Sequence, residues 1–133
     1  MIVAVADTHA VIWYLSSNPR LSATAKEFMD VARADRNQIG ISSVSVVEIV
    51  YLIEKGKIPV ESLTALAAAL EKLPRVLTDI PLDLKTARAL SFIDLYKVPD
   101  MPDRIIAATA LYLGVPLISR DAKIQTSGLT TIW

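Results

Sequence analysis

No cysteine occurs in the chain, which excludes disulfide bridges and thiolate zinc sites. Net charge is missing too, because 14 Lys+Arg balance 14 Asp+Glu. Nonspecific nucleic-acid coats draw most of their strength from phosphate neutralisation, so a basic coat protein is excluded. A nuclease with a locally acidic centre and a locally basic rim is not. No stretch approaches the ~20 apolar residues of a membrane span. The apolar opening Met1–Ala6 lacks a basic flank and is interrupted by Asp7, so it does not read as a signal peptide. The uncharged segment Asn37 to Val47 contains Ser, Gln and Gly and reads as strand plus turn. Internal repeats, linkers and low-complexity segments are absent. These exclusions point to a cytoplasmic protein with no membrane partner.

What is present is apolar material in quantity. Hydrophobic residues make up 53% of 133, enough to bury a core against the entropy of ordering the chain. The length fits one domain, 1–133, around one core. Short β-rich runs alternate with longer helical patterns, the signature of βαβ units around a parallel sheet, so the expected class is α/β. Ile2–Ala6 is a continuous apolar run, as in a strand covered on both faces. Ser22 reads as the N-cap of a helix reaching about Ala34, with Ala25, Phe28, Met29 and Ala32 as its apolar stripe. Gln38–Ser42 is a second strand. Leu63, Leu66, Ala67, Leu70 and Leu73 recur at helical spacing, and Pro74 ends that helix. Val76–Ile80 reads as a strand and Leu84–Tyr96 as a helix. Asp103–Leu113 is helical and apolar almost all round, hence buried, with Gly114 as its C-cap. Pro116–Ser119 and Thr130–Trp133 complete the set as strands.

Between them, Val44–Ile53 is contested. Six of its ten residues are Val or Ile, and local propensity favours a strand. Ser45 and Glu48 have capping-box spacing, however, and Gly56 stands where a helix would be capped. Helix is the reading adopted.

Four carboxylates fall where carboxylates are costly. Asp7 directly follows the first apolar strand. Glu48 is the sole charge between Asn37 and Ile53, and Asp103 opens a helix with no further charge from Ile105 to Ser119. Asp121 lies just beyond the strand Pro116–Ser119. Isolated ionised carboxylates in such settings need a partner or a metal, and only Arg104 and Arg120 are adjacent to any of them. In open parallel sheets, ligand sites form at the carboxyl ends of strands, near the point where strand order reverses. That rule brings the four together. Two carboxylates ~4 Å apart repel by roughly 4 kcal/mol at an effective dielectric near 20, so such a pocket calls for a divalent cation. All-oxygen ligation, with no Cys and one His, suits Mg²⁺ or Mn²⁺ better than zinc.

Each acid also has a structural reading. Glu48 fits a capping box with Ser45, Asp103 a helix cap, and Asp121 a turn. Asp7 is the hardest to explain structurally. Thr8 and Ser119 are placed to bond the acids and fix their rotamers. His9 reads as a helix-start residue. Arg104 and Arg120 read either as RNA phosphate contacts or as surface partners of the acids. Trp13, Tyr14 and Phe28 read as core or dimer contacts.

At these residues the sequence resembles the PIN-domain family, specifically the VapC-type toxins of bacterial and archaeal toxin–antitoxin pairs. Val5-Ala6-Asp7-Thr8-His9-Ala10-Val11-Ile12-Trp13 is similar to the family's opening "DTHALLW". Ile41-Ser42-Ser43-Val44-Ser45-Val46-Val47-Glu48-Ile49 resembles its second acidic motif. Asp100-Met101-Pro102-Asp103-Arg104-Ile105-Ile106-Ala107-Ala108-Thr109-Ala110 resembles "DxxDRLIAATA". Pro116-Leu117-Ile118-Ser119-Arg120-Asp121 resembles "LVTRD", with Ser119 in place of the usual Thr, and the close on Ile132-Trp133 is shared as well. The motifs run in order across essentially the whole chain. Asp100, three residues before Asp103, competes for the third acidic position, but its spacing suits a cap.

The resemblance implies a three-layer α/β/α fold with a central, mainly parallel sheet, and homodimerisation. It also implies Mg²⁺- or Mn²⁺-dependent endoribonuclease activity on an RNA substrate and neutralisation by a cognate VapB-like antitoxin. Asp7 and Asp103 take the main metal contacts, and Glu48 and Asp121 complete the site. Three alternatives stand beside it: a structure-specific PIN-like nuclease in RNA processing or DNA metabolism, a catalytically silent PIN-like scaffold, and a phosphoacceptor domain with Asp79 as acceptor. The last needs an acidic pair after the first strand, where this chain has only Asp7.

Overall fold

Five strands, all parallel, form one sheet in the order β3-β2-β1-β4-β5 in the computed structural model, which describes residues 1–133. The strands are β1 (Ile2–Ala6), β2 (Gln38–Ser42), β3 (Leu77–Ile80), β4 (Leu117–Ile118) and β5 (Thr131–Ile132). Helices cover both faces, giving the three-layer α/β/α arrangement expected. Alternation along the strands decides which layer each side chain joins. Ala4, Ala6 and Ile118 pack with Val11, Met29, Ile49 and Leu66 on one face. Val5 and Leu117 pack with Ala89, Ile106 and Ala110 on the other. No helix is long and apolar enough to cross a membrane.

α1 (Thr8–Leu15) starts immediately after β1. Its N-cap is Asp7, whose carboxylate accepts from Ala10 N at 2.8 Å. The acid that sequence reasoning found hardest to explain structurally therefore has a structural role as well. α2 (Ala23–Ala34) is capped by Ser22 as expected, with Ala25 N donating to its hydroxyl at 3.0 Å.

α3 (Ser43–Glu54) resolves the contested segment as a helix. Its packing explains why propensity lost: Val44, Ser45 and Ile49 are buried at helical spacing. The capping box does not form. Ser42 is the N-cap, so Ser45 lies inside the first turn and Glu48 in the second, both out of capping reach. Their three-residue spacing puts them on one face instead. At the other end, Gly56 has φ 69°, and Gly56 N and Lys57 N donate to Ile53 O and Leu52 O. This αL closure satisfies carbonyls that the helix leaves open.

α4 (Glu61–Glu71) stops short of Pro74 because the chain turns extended at Lys72. α5 is only Leu84–Ala89 and passes through a 3₁₀ turn, Leu90–Phe92, not through a helix to Tyr96. Arg104 accounts for the break, since its guanidinium donates to Leu90 O and Ile93 O, both at 3.0 Å. α6 (Met101–Leu113) begins two residues earlier than its apolar pattern, capped by Asp100 and closed by Gly114 at φ 67°. A short α7 (Ala122–Gln125), which the sequence reading did not assign, lies between β4 and β5.

α6 fills the layer on one face of the sheet, with Ile106 wholly buried. Ile106→Ala should therefore cost about 2–5 kcal/mol. Leu111→Ala on the same helix, at a position 39% exposed, should cost clearly less. Urea melts of both variants check the packing; equal losses would contradict it.

Candidate functional site

Strand order reverses between β1 and β4, and their carboxyl ends open the crevice in which parallel sheets bind ligands. Asp7 comes directly off β1, and Ser119, Arg120 and Asp121 directly off β4. Glu48 projects from the second turn of α3, which begins without a loop at the end of β2. Asp103 stands in the first turn of α6. All four acids line one cleft of about 410 Å³, together with Thr8, His9, Trp13, Asp100 and Arg120.

Hydroxyls brace the acids. Thr8 Oγ1 lies within hydrogen-bond reach of both Glu48 Oε1 and Ser45 Oγ, the latter at 3.0 Å. Having one proton to give, Thr8 donates to the carboxylate while the Ser45 hydroxyl donates to Thr8. Ser45, read from sequence as a cap, is thus a buried support for Glu48. Ser119 is fully buried; its hydroxyl bonds Asp7 and accepts from Asp121 N at 3.1 Å. Asp121 itself caps α7, accepting from Lys123 N at 2.8 Å. Asp100 accepts from Asp103 N at 3.1 Å, so it caps α6 as its spacing indicated and adds a fifth carboxylate to the cleft.

The electrostatics follow from this crowding. Burial raises the Asp7 carboxyl above the ordinary carboxylate range, against the lowering effect of its bonds to Ser119 and the Ala10 amide. Glu48 is raised by burial, partly countered by Thr8. Asp103 is raised from 3.8 to about 7, by desolvation first and then by Asp100, Asp121, Glu48 and Asp7. As the side chains stand, no three acids are within reach of one ion. The donor set nonetheless suits a hard divalent cation: every donor is oxygen, and the carboxylates destabilise one another's charged forms. Asp7, Asp103, Glu48 and Asp121 are the residues able to hold it.

The two arginines part company. Arg104 spends its guanidinium on the Leu90 and Ile93 carbonyls, does not line the cleft and pairs with none of the acids. Arg120 does line it, with its guanidinium over the Trp13 ring 4.7 Å from the centroid. Trp13 is buried as expected, yet its ring also forms part of the cleft wall. His9 stacks on it at 5.4 Å. The four-residue step from His9 to Trp13 would have revealed this wall had the helix after Asp7 been traced in the sequence.

An all-parallel α/β domain with a carboxylate-lined crevice at its switch point belongs to the class that gathers acids from separate segments into one cleft. The PIN-domain family model matches residues 4–126, and the chain belongs to the PIN-domain family. No curated protein matches. Among solved structures, the chain is similar to VapBC2 from Rickettsia felis bound to a DNA fragment from their promoter. That pair is 19% identical with a TM-score of 0.72, covering 98% of this chain and 97% of the other. A toxin–antitoxin complex from Klebsiella pneumoniae is 24% identical, with a TM-score of 0.65 and coverage of 98% and 96%. VapC20 of Mycobacterium tuberculosis, a sarcin-ricin loop cleaving toxin, is 16% identical, with a TM-score of 0.62 and coverage of 96% of each chain.

The raised Asp103 carboxyl fixes the sign of a pH effect. The folded chain holds that proton more tightly than the unfolded one, so raising pH from about 4 to about 7 removes stability from the metal-free protein. Asp7 and Glu48 act in the same direction. Melting temperature in EDTA should therefore fall across this window, and Asp103→Asn should flatten the fall. An equally steep fall in the variant would refute the assignment.

Proposed function

We propose that the chain is a Mg²⁺- or Mn²⁺-dependent endoribonuclease, the VapC-type toxin of a toxin–antitoxin pair, acting as a homodimer in the cytoplasm. The observation that carries this reading is the convergence of Asp7, Glu48, Asp103 and Asp121 from four separate segments on one cleft. The family match and the toxin–antitoxin context of the similar structures support it.

The roles follow from position. Asp7 and Asp103 would be the principal residues to hold the metal, with Glu48 and Asp121 completing the site. A divalent ion held there would supply Lewis-acid activation of water and charge stabilisation at the phosphodiester. Thr8, backed by Ser45, positions Glu48, and buried Ser119 lies against Asp7. Asp103, raised to about 7, would have to lose its proton to hold a cation, so metal affinity should rise with pH.

Asp7→Asn and Asp103→Asn are near-isosteric, and Asn still caps α1 at position 7. Each should keep the fold and lose roughly a thousandfold in cleavage rate. A metal's charge stabilisation is worth several kcal/mol, and about 1.4 kcal/mol is a factor of ten. Wild-type cleavage by either purified variant in Mg²⁺ would overturn the assignment. Parallel assays on DNA of the same sequence separate an RNA-directed enzyme from a structure-specific nuclease. A catalytically silent scaffold is the second reading, favoured by the absence of three acids within reach of one ion. Calorimetric titration with Mn²⁺ distinguishes the two, since a scaffold gives no binding that Asp103→Asn weakens.

The antitoxin follows from the same charge. A focused negative field in a neutral chain attracts a guanidinium, which meets carboxylates in bidentate, charge-assisted pairs. A VapB-like antitoxin tail should place an Arg in the cleft and compete with the cation. Raising Mn²⁺ should then weaken inhibition by the isolated tail, and replacing that Arg should weaken it further. Inhibition independent of both would exclude the mechanism and leave the nuclease untouched.

A further inference from the structure

Arg120 lines a cleft that holds five carboxylates, yet it pairs with none of them. The structure's one ion pair joins Lys26 and Asp30 at 2.7 Å. The guanidinium lies instead over the Trp13 ring, 4.7 Å from its centroid. Trp13 is held in turn, with 6% of its surface exposed, the His9 ring at 5.4 Å and the Trp133 ring at 6.0 Å. No hydrogen bond to another group engages the Arg120 side chain, which is exposed. A guanidinium carries five N–H donors in one planar fork, and none of those of Arg120 is used elsewhere. The arrangement is a cation parked beside an acidic site with its donors free.

We propose that Arg120 is the phosphate-docking residue of this cleft. Trp13, braced by His9 and Trp133, acts as the positioning residue that keeps the guanidinium from collapsing onto the acids. The inference rests on the nucleic-acid-cleaving reading above and adds to it the element that brings a polyanion to a negatively lined site. The carboxylates repel a phosphodiester until a cation balances them. Arg120 supplies a fixed positive charge at the rim whose fork matches a phosphate in bidentate fashion. Its place one residue before Asp121 puts the docked phosphate next to the acids. Lysine would keep the charge but lose both the stacking plane and the fork.

The chain contains two tryptophans, Trp13 and Trp133, and both belong to this stack. Tryptophan emission therefore comes from Trp13, under the Arg120 guanidinium, and from Trp133 packed against it. The experiment titrates a short single-stranded RNA into full-length protein carrying Asp103→Asn, in Mg²⁺, while following that emission at several salt concentrations. Engagement of Arg120 should change the emission to saturation. Arg120→Ala in the same background should weaken binding roughly tenfold, the scale of a hydrogen bond to a charged group. It should also reduce the slope of log affinity against log salt by about 0.7, the loss of one phosphate contact on a single strand. Arg120→Lys should restore the slope but only part of the affinity. Lys85→Ala, which removes an exposed positive charge on α5 outside the cleft, should leave the slope unchanged. With an active Asp103, Arg120→Ala should raise KM more than it lowers kcat.

If the wild-type chain cuts RNA while Arg120→Ala keeps the same KM and salt slope, the docking role is overturned and the nuclease stands. If the wild-type chain neither binds nor cuts RNA in Mg²⁺ or Mn²⁺, the nuclease reading fails and the docking role falls with it. Loss of binding in Arg120→Ala with an unchanged salt slope would also overturn the proposal, because it would show a packing defect and not a lost phosphate.

Discussion

β1 lies between β2 and β4, and every pairing in the sheet is parallel. The chain moves outward from β1 through β2 to β3, then returns across the sheet to β4. Two strands distant in sequence thus finish side by side, pointing the same way. Val5 N bonds Pro116 O and Asp7 N bonds Ile118 O, both at 3.0 Å, so the register that places Asp7 beside Ser119 and Asp121 is set by backbone hydrogen bonds. Glu48 and Asp103 reach the same crevice because α3 and α6 start at its rim. Without the β1–β4 pairing, the acids would be unrelated surface charges.

Gathering them has a cost that the fold offsets locally. Asp7 and Asp121 each accept an amide at a helix N-terminus, which satisfies one oxygen of each carboxylate. Asp103 caps nothing; desolvation and then four carboxylates raise it to about 7. A helix that begins where a strand ends points its free amides at the crevice, and a carboxylate placed there satisfies them with one oxygen and leaves the other for the cleft.

Much of this was legible in the sequence, for a reason that particular residues make plain. β1, β2, α2 and α6 bury continuous or strictly periodic apolar residues, and their patterns survive folding unchanged. The four acids stood out because their neighbours are apolar. Other features depended on partners distant in the chain. Ser45 reads as a cap until Thr8, 37 residues away, turns it into a support. Leu84–Tyr96 reads as one helix until Arg104 reaches back to carbonyls at Leu90 and Ile93. α1 follows β1 without a separating turn, and although His9 reads as its start, no local pattern marks its extent to Leu15. Trp13 and Trp133 meet across the fold, and no local spacing encodes that contact.

The margins of the sheet differ from its centre. On one side β5 offers two residues, Thr131 and Ile132, too few to template another strand. On the other, β3 exposes Asp79 midway along its four residues, and Ser43 at the start of α3 donates to that carboxylate at 3.0 Å. A neighbouring chain trying to add a strand there meets a charge it would have to strip of water. Short strands and charged edges are how sheets resist edge-to-edge association. A protein with balanced charge lacks long-range repulsion to keep its copies apart. Its colloidal behaviour at high concentration therefore falls to Asp79 and to the brevity of β5.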